Sequence, residues 1–259
     1  MKQAYFRTFL IALISFAPFL ASAQGFGLPA GFELKKFEAN QLQAMYFLDY
    51  DSAWQRVAAF DHLPQTKDVI CYEDKKGWKV IVGTVDSSGF NKEAAYYTVD
   101  AKNIVTLSKK KFDTIQVASM GRALYNANKA LAKLNIKAGS WKKFSKVNLD
   151  QSITIWAFPD VDAEGNIWYG PECAWYYSPN GSALMTSKIV NKAPILAGKT
   201  GSVLALSCPT EKMPTIGAIW LSHRWKLAYN EINVSYKTGT STLHYNVAEK
   251  TYAWDHTAN

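Results

Sequence analysis

The chain has 259 residues, 48% of them apolar and 19% charged, which is enough to bury a sizeable core without metals or crosslinks. Its formal charge of +8 is spread thinly, with no basic run denser than Lys109-Lys110-Lys111 and Lys142-Lys143, which speaks against a nucleic-acid stripe and for a solvated basic surface. Beyond the first 23 residues no stretch approaches the ~20 apolar residues of a membrane helix, so no transmembrane span is expected in the mature chain.

Residues 1 to 23 read as a signal peptide. Lys2 and Arg7 precede an apolar run from Phe9 to Leu20, and Ala21-Ser22-Ala23 offers a cleavage site before Gln24. Cleavage removes two of the 29 basic residues and none of the 21 acidic ones, so the remainder carries +6. The absence of a Cys after the small residues argues against a lipid anchor. The expected location is therefore periplasmic or secreted, where the acidic partners are envelope polymers or anionic surfaces rather than nucleic acid.

Gly25 to Gly31 forms an extended lead-in. Leu42, Met45 and Leu48, then Trp54, Val57, Ala58 and Phe60, recur at helical steps, with Asp51 or Ser52 as a cap between two pieces and Pro64 as the stop. The period then shortens to two over Asp68 to Tyr72, Trp78 to Val85 and Ala95 to Val99, with turns at Lys76-Gly77 and Ser88-Gly89. A long helix follows from Asp113 to Leu134. Asp113 or Thr114 caps it, Ile115, Ala118, Leu124, Ala127, Leu131 and Leu134 mark one face, and Ala138-Gly139 stops it.

From Ser145 onward only short strand-like runs are expected: 153 to 158, 167 to 169, 173 to 177, 183 to 190, 203 to 206, 216 to 222, 232 to 236, 242 to 245 and 251 to 254. Gly165-Asn166, Pro179-Asn180-Gly181 and Gly239 supply turns among them. The fold class is α+β: an N-terminal helical segment, a small antiparallel meander, one long central helix, then a C-terminal antiparallel sheet. Residues 24 to 259 read as a single domain, with a subdivision conceivable near residue 140.

Cys71, Cys173 and Cys208 allow one intramolecular bridge and three pairings. Cys173 with Cys208 is preferred because both lie in the β-rich half, leaving Cys71 as a buried thiol.

Motifs for catalysis are fragmentary. Ser140-x-x-Lys143 and Ser108-x-x-Lys111, Ser178-Pro179-Asn180 and Lys237-Thr238-Gly239 match the spacings of serine penicillin-recognising enzymes, but no Ser-x-x-Lys opens an apolar helix. Asp160, Asp162, Glu164 and Gly165 imitate a calcium loop whose twelfth position is Pro171, so an acidic hairpin tip is expected instead. His62, His223, His244 and His256 lack zinc spacing, and no metal or cofactor is expected. Cys173 with His223 or His244 is the only thiol and imidazole pairing that suggests itself. Ala197 to Gly201 resembles the end of a phosphate loop, with Ala193 where the first Gly is needed.

The remaining signal is aromatic. Nine Trp, 14 Tyr and 13 Phe include Trp168, Tyr169, Trp175, Tyr177 and Trp220, which are candidate ligand-binding residues for stacking on sugar faces, set against cross-strand pairing in a Trp-filled core. Asp51-Ser52-Ala53-Trp54, the strand Gly77 to Gly83, the long central helix, the Tyr176 to Gly181 hairpin and Pro214-Thr215 together resemble uncharacterised exported proteins of Gram-negative bacteria. That resemblance implies export and an α+β meander and brings no activity. The function expected is a non-catalytic binding or interaction protein of the envelope or secretome, with an envelope polymer or another protein as partner; the alternative is an envelope-directed hydrolase with an unrecognised active site.

Overall fold

A computed structural model describes residues 27–64, 67–136, 140–162, 164–191 and 193–259. The signal segment and the Ala138-Gly139 stop lie outside the described residues. The chain is α+β, as its periodicities imply, and among the described residues no helix is long and apolar enough to cross a membrane.

Helix α1 (Leu34–Asp61) is one continuous rod of 28 residues. Its buried stripe, Phe37, Ala44, Phe47, Tyr50, Trp54 and Val57, advances in steps of three, four and seven. Asp51 does not interrupt it, because the largely buried carboxylate pairs with Lys142 Nζ at 2.9 Å and leaves the backbone helical. Leu42, Met45 and Phe60, expected on the inner face, stay largely exposed. Ala44, Phe47 and Tyr50 fill the inner stripe in their place. His62 ends the helix in the left-handed region at φ 51°, with its N–H on Ala58 O, and Pro64 follows.

An antiparallel meander comes next: β1 (Asp68–Asp74), β2 (Gly77–Gly83), the short hairpin β3 (Val85–Asp86) and β4 (Gly89–Phe90), then β5 (Ala95–Val99) and β6 (Val105–Leu107), with sheet order β1-β2-β5-β6. Helix α2 (Thr114–Lys133) opens where Asp113 accepts the N–H groups of Ile115 and Gln116, both at 3.0 Å. Its buried face is Val117, Met120, Ala123, Leu124 and Ala127. Leu124 and Ala127 stand as expected, but Ile115 is 80% exposed because it precedes the stripe by a half turn.

The second sheet contains β7 (Trp141–Val147), β8 (Ile153–Pro159), β10 (Glu172–Tyr177) and β11 (Leu184–Val190) in the order β11-β10-β8-β7. Between β8 and β10, β9 (Trp168–Tyr169) pairs with β12 (Ile195–Leu196). The last sheet runs β13 (Gly198–Thr200), β14 (Val203–Cys208), β15 (Glu231–Tyr236), β16 (Gly239–Asn246) and β17 (Thr251–Ala258). Gly198 and Lys199, which imitate a phosphate loop in sequence, lie in strand β13.

Residues 216 to 222, expected as a strand, belong to helix α3 (Ile216–Trp225). A short apolar run carries no period that separates a buried helix from a buried strand, and here Thr215 decides by capping the Ala218 N–H. The helix also explains the one parallel pairing among the described residues, β14 with β15, since a parallel return needs a crossover.

Two cores follow from strand alternation. Val80, Val82, Tyr97, Val99, Phe144, Trp156, Phe158 and Ala174 face α1, α3 and the last sheet. Their neighbours Ile81, Tyr96, Ile153, Ile155, Ala157, Trp175 and Tyr177 face α2. The same alternation removes the expected bridge. Cys173 points into the α2 core and Cys208 into the other, and all three cysteines are free and buried.

Candidate functional site

Three of the five aromatic candidates converge on a notch beside the start of α3. Trp168, Tyr169 and Trp220 line it with Phe158, Pro159, Gly170, Glu172, Gly217 and Leu221. Its volume is about 10 Å³, which holds roughly one water. Trp175 and Tyr177 lie elsewhere, on the α2 side of β10, at 3% and 2% exposure. Trp220 is buried against Phe158 and Phe144, with ring centroids 5.5 Å away in each case. Only Trp168 of the five keeps appreciable exposure, so the five do not form a stacking surface.

Glu172 closes the notch. The Thr215 hydroxyl donates to its Oε1 and the Gly217 N–H donates to its Oε2 at 3.0 Å, so the carboxyl satisfies the positive end of α3. Gly217 is what permits this approach, since a Cβ there would stand 2.7 Å from the carboxyl atoms. Burial pushes the Glu172 carboxyl up to about 7, against the lowering effect of its hydrogen bonds with Thr215, Gly217 and Ala218. Cys208 Sγ sits 3.6 Å from Thr215 Oγ1, and burial together with the Glu172 charge pushes that thiol up to about 12. Beside the notch, Arg224 covers the Trp220 ring at 5.1 Å and binds Asp160 at 2.6 Å, while Lys142 joins Asp51 at 2.9 Å. These groups are mutually engaged.

The Ser-x-x-Lys and Ser-x-Asn fragments are engaged too, whereas the Thr238 hydroxyl of Lys237-Thr238-Gly239 is buried with no partner among the described residues. Ser140 Oγ donates to Val161 O, Lys143 Nζ to Asp68 and Asn128, Ser108 Oγ to Lys110 O and Ser178 Oγ to Asn180. Asp162 holds its own loop: both oxygens accept from Glu164, Asn166 and Trp168, whose indole N–H lies at 2.7 Å and is the main reason its carboxyl falls to about 2. That loop is a hydrogen-bonded hairpin tip rather than a cation cradle. Cys173 and His223 face different cores, His223 taking the Trp254 indole N–H at 3.4 Å, and His244 stands 3.6 Å from Asp255.

A second concavity, of about 230 Å³, opens at the C-terminal end of α1. Asp61, Leu63, Lys67, Val82, Gly83, Thr84, Asn91, Glu93, Ala95 and Tyr97 line it. Its floor is the buried Tyr97 hydroxyl, which donates to Asp61 Oδ2 at 2.5 Å. Burial first, then the Asp61 carboxylate, raise the Tyr97 hydroxyl well above its ordinary range, so it remains a donor. The β3–β4 hairpin brings Asn91 in by closing its N–H on Thr84 O at 3.0 Å. Asn91 Oδ1 is buried there with no hydrogen-bond partner among the described residues. Leaving such an acceptor unmet costs about 1–3 kcal/mol, and because the atom is closed to solvent an occupant of the open cavity does not meet it either.

Asp61 is also the last residue of α1, a helix with no basic residue in its final turn. A carboxylate at the negative end of a helix is electrostatically unfavourable, by roughly 0.3–1 kcal/mol at an exposed end. This acid at a helix C-terminus, shortly before Pro64, is the one sequence signal that could have drawn attention to the cavity. Tyr97, Asn91 and Glu93 join it only through strand pairing and a hairpin. No family model, curated protein or solved structure matches the chain.

Proposed function

We propose that the chain is an exported, non-catalytic protein that binds a small polar part of an envelope-derived ligand in the cavity at the end of α1. The observation that carries this reading is the cavity itself: about 230 Å³ of mixed polar and apolar lining that includes the hydrogen-bonded pair Tyr97 and Asp61. Export is supported by the signal-like first 23 residues. The binding role, rather than the hydrolytic one, is supported by where the reactive groups are spent. Glu172 caps α3, Asp160 pairs with Arg224, Asp162 ties its own loop, and burial holds the Cys173 and Cys208 thiols up to about 12.

Titration of the ¹⁵N-labelled exported chain with soluble fragments of envelope polymers tests this. Amide shifts confined to Thr84, Asn91, Glu93 and Tyr97, with the fragments recovered intact, are the expected result. Cleaved fragments would move the protein to the hydrolase class, and an unperturbed spectrum at millimolar ligand would remove the binding site.

A further inference from the structure

We infer that the outer rim of the meander, residues 100 to 115 along edge strand β6, docks the chain on an anionic phospholipid surface. The inference goes beyond the cavity at the end of α1 and does not depend on it.

The rim combines exposed apolar side chains with unpaired cations. Ile104, Leu107 and Ile115 are 56%, 54% and 80% exposed. Lys102, Lys109, Lys110 and Lys111 are interleaved with them and exposed, and among the described residues no ion pair engages any of the four. Strand β6 stands last in the order β1-β2-β5-β6, so among the described residues no strand of its sheet pairs with its outer side.

Local hydrogen bonds shape the segment without using the ammonium groups. Asp100 Oδ1 accepts the N–H groups of Lys102 at 2.8 Å and Ile104 at 2.9 Å, the Ser108 hydroxyl bridges the N–H and C=O of Lys110, and Asp113 caps α2. Both acids of the rim are thus tied to backbone, and the lysines outnumber them. The β1–β2 turn lies against the same end, because Gly77 has no Cβ to collide with Val99 O. It adds the exposed Lys75 and Lys76 against Glu73, while Asp74 is taken up by Lys79 at 3.3 Å.

Charge complementarity asks for an anionic partner, and the apolar side chains decide which kind. On a soluble polyanion Ile104, Leu107 and Ile115 would stay in water and gain nothing. At a bilayer surface the lysines meet lipid phosphates while the apolar side chains sink between headgroups. The exposed pairs Leu42 with Met45 and Leu184 with Met185 have no basic run beside them in the chain. The open N–H and C=O groups of an edge strand need water, so the rim rests at headgroup level and does not enter the hydrocarbon.

The experiment is cosedimentation of the exported chain with vesicles rich in phosphatidylglycerol, in parallel with phosphatidylcholine vesicles. Partition onto the anionic vesicles should be at least about tenfold higher and should weaken as salt is raised. Replacing Lys109, Lys110 and Lys111 together by Ser should lower it at least about tenfold, since each cation near the surface contributes roughly fivefold. Replacing Lys35, Lys237 and Lys250, which are exposed elsewhere, should lower it less than about threefold. Leu107→Ser combined with Ile115→Ser should lower it about fivefold, with the fold confirmed by circular dichroism. Equal partition onto the two vesicle types, or a control triple as damaging as the rim triple, would overturn the inference. Undiminished binding by the Leu107 and Ile115 double variant would do so too, because the rim would then be a contact for any polyanion. A spin-labelled headgroup supplies the position: broadening of the amides of 102 to 115 is expected, and broadening confined to other residues would refute the docking face.

Discussion

Two helix ends in this molecule carry an acid, and they treat it in opposite ways. Glu172 stands at the positive N-terminal end of α3, where Thr215 and Gly217 occupy both oxygens and a glycine admits the carboxyl. Asp61 stands at the negative C-terminal end of α1, where one oxygen takes the Tyr97 hydroxyl and the exposed side chain lines a cavity. The first arrangement completes an element of the fold. The second keeps a charge in a poor electrostatic place with capacity to spare, and such violations of local preference collect where ligands bind. Dipole sense and open valence, rather than burial or an elevated pKa, separate the acid that completes α3 from the one proposed to meet a ligand.

The comparison breaks first if Glu172 is dispensable. Glu172→Ala leaves the Gly217 N–H and the Thr215 hydroxyl without their acceptor and opens a hole beside Trp220, so unfolding free energy should fall by about 3 kcal/mol. Urea denaturation measures it, and a loss below about 1 kcal/mol would show that the N-terminus of α3 is closed by something else.

The pH dependence is the next largest effect. Burial raises Glu172 from 4.5 to about 7, so between those values the folded chain keeps a proton that the unfolded chain has released, and this acid favours folding at the acid end and loses its contribution as pH rises through 7. His223 and His256 act oppositely. Burial lowers both from 6.5 to about 4, so the unfolded chain protonates first and their contribution, full above 6.5, is lost as pH falls toward 4. The two histidines gain with pH while Glu172 loses, as does Asp49, whose carboxyl burial also raises, which leaves a shallow net rise from pH 4.5 to 6.5. Glu172→Gln removes the larger opposing group, so urea midpoints between pH 5 and 6.5 should climb more steeply in the variant. An unchanged slope would mean that Glu172 does not hold its proton in the folded state.

Most of the fold was legible because its signals are local. Asp113 announces α2 through two backbone hydrogen bonds within three residues, and the alternation through Val80, Ile81 and Val82 places them on opposite faces whatever covers those faces. Misreadings fell where a local pattern admits two answers. Residues 216 to 222 are apolar throughout, so neither period is visible, and Cys173 and Cys208 share a β-rich region without sharing a face. The aromatic candidates show the same limit: adjacent Trp and Tyr residues must point oppositely, but only the packing reveals that both faces of β10 are covered. The cavity was least legible, because Asp61 lies 36 residues before Tyr97 and joins it and Asn91 only when β2, β5 and the β3–β4 hairpin bring them to the end of α1.

The smaller effects test the Asp61 end. Tyr97→Phe removes a buried hydroxyl that donates to a solvent-accessible carboxylate, and because water can replace the donor the loss should be about 1 kcal/mol. Ligand affinity should fall with it, since Asp61 would no longer be held over the floor. Asp61→Asn should cost less still: it takes a negative charge away from the carbonyl end of α1 while the side-chain oxygen can continue to accept from Tyr97, so stability should stay within about 0.5 kcal/mol of the parent and could rise. Binding should nevertheless collapse, because the removed charge is the one that faces the cavity. A residue whose loss leaves the fold as stable as before and abolishes recognition is the opposite of Glu172. If Asp61→Asn instead unfolds the chain as Glu172→Ala should, both acids are architectural, and the cavity loses its claim to be a site.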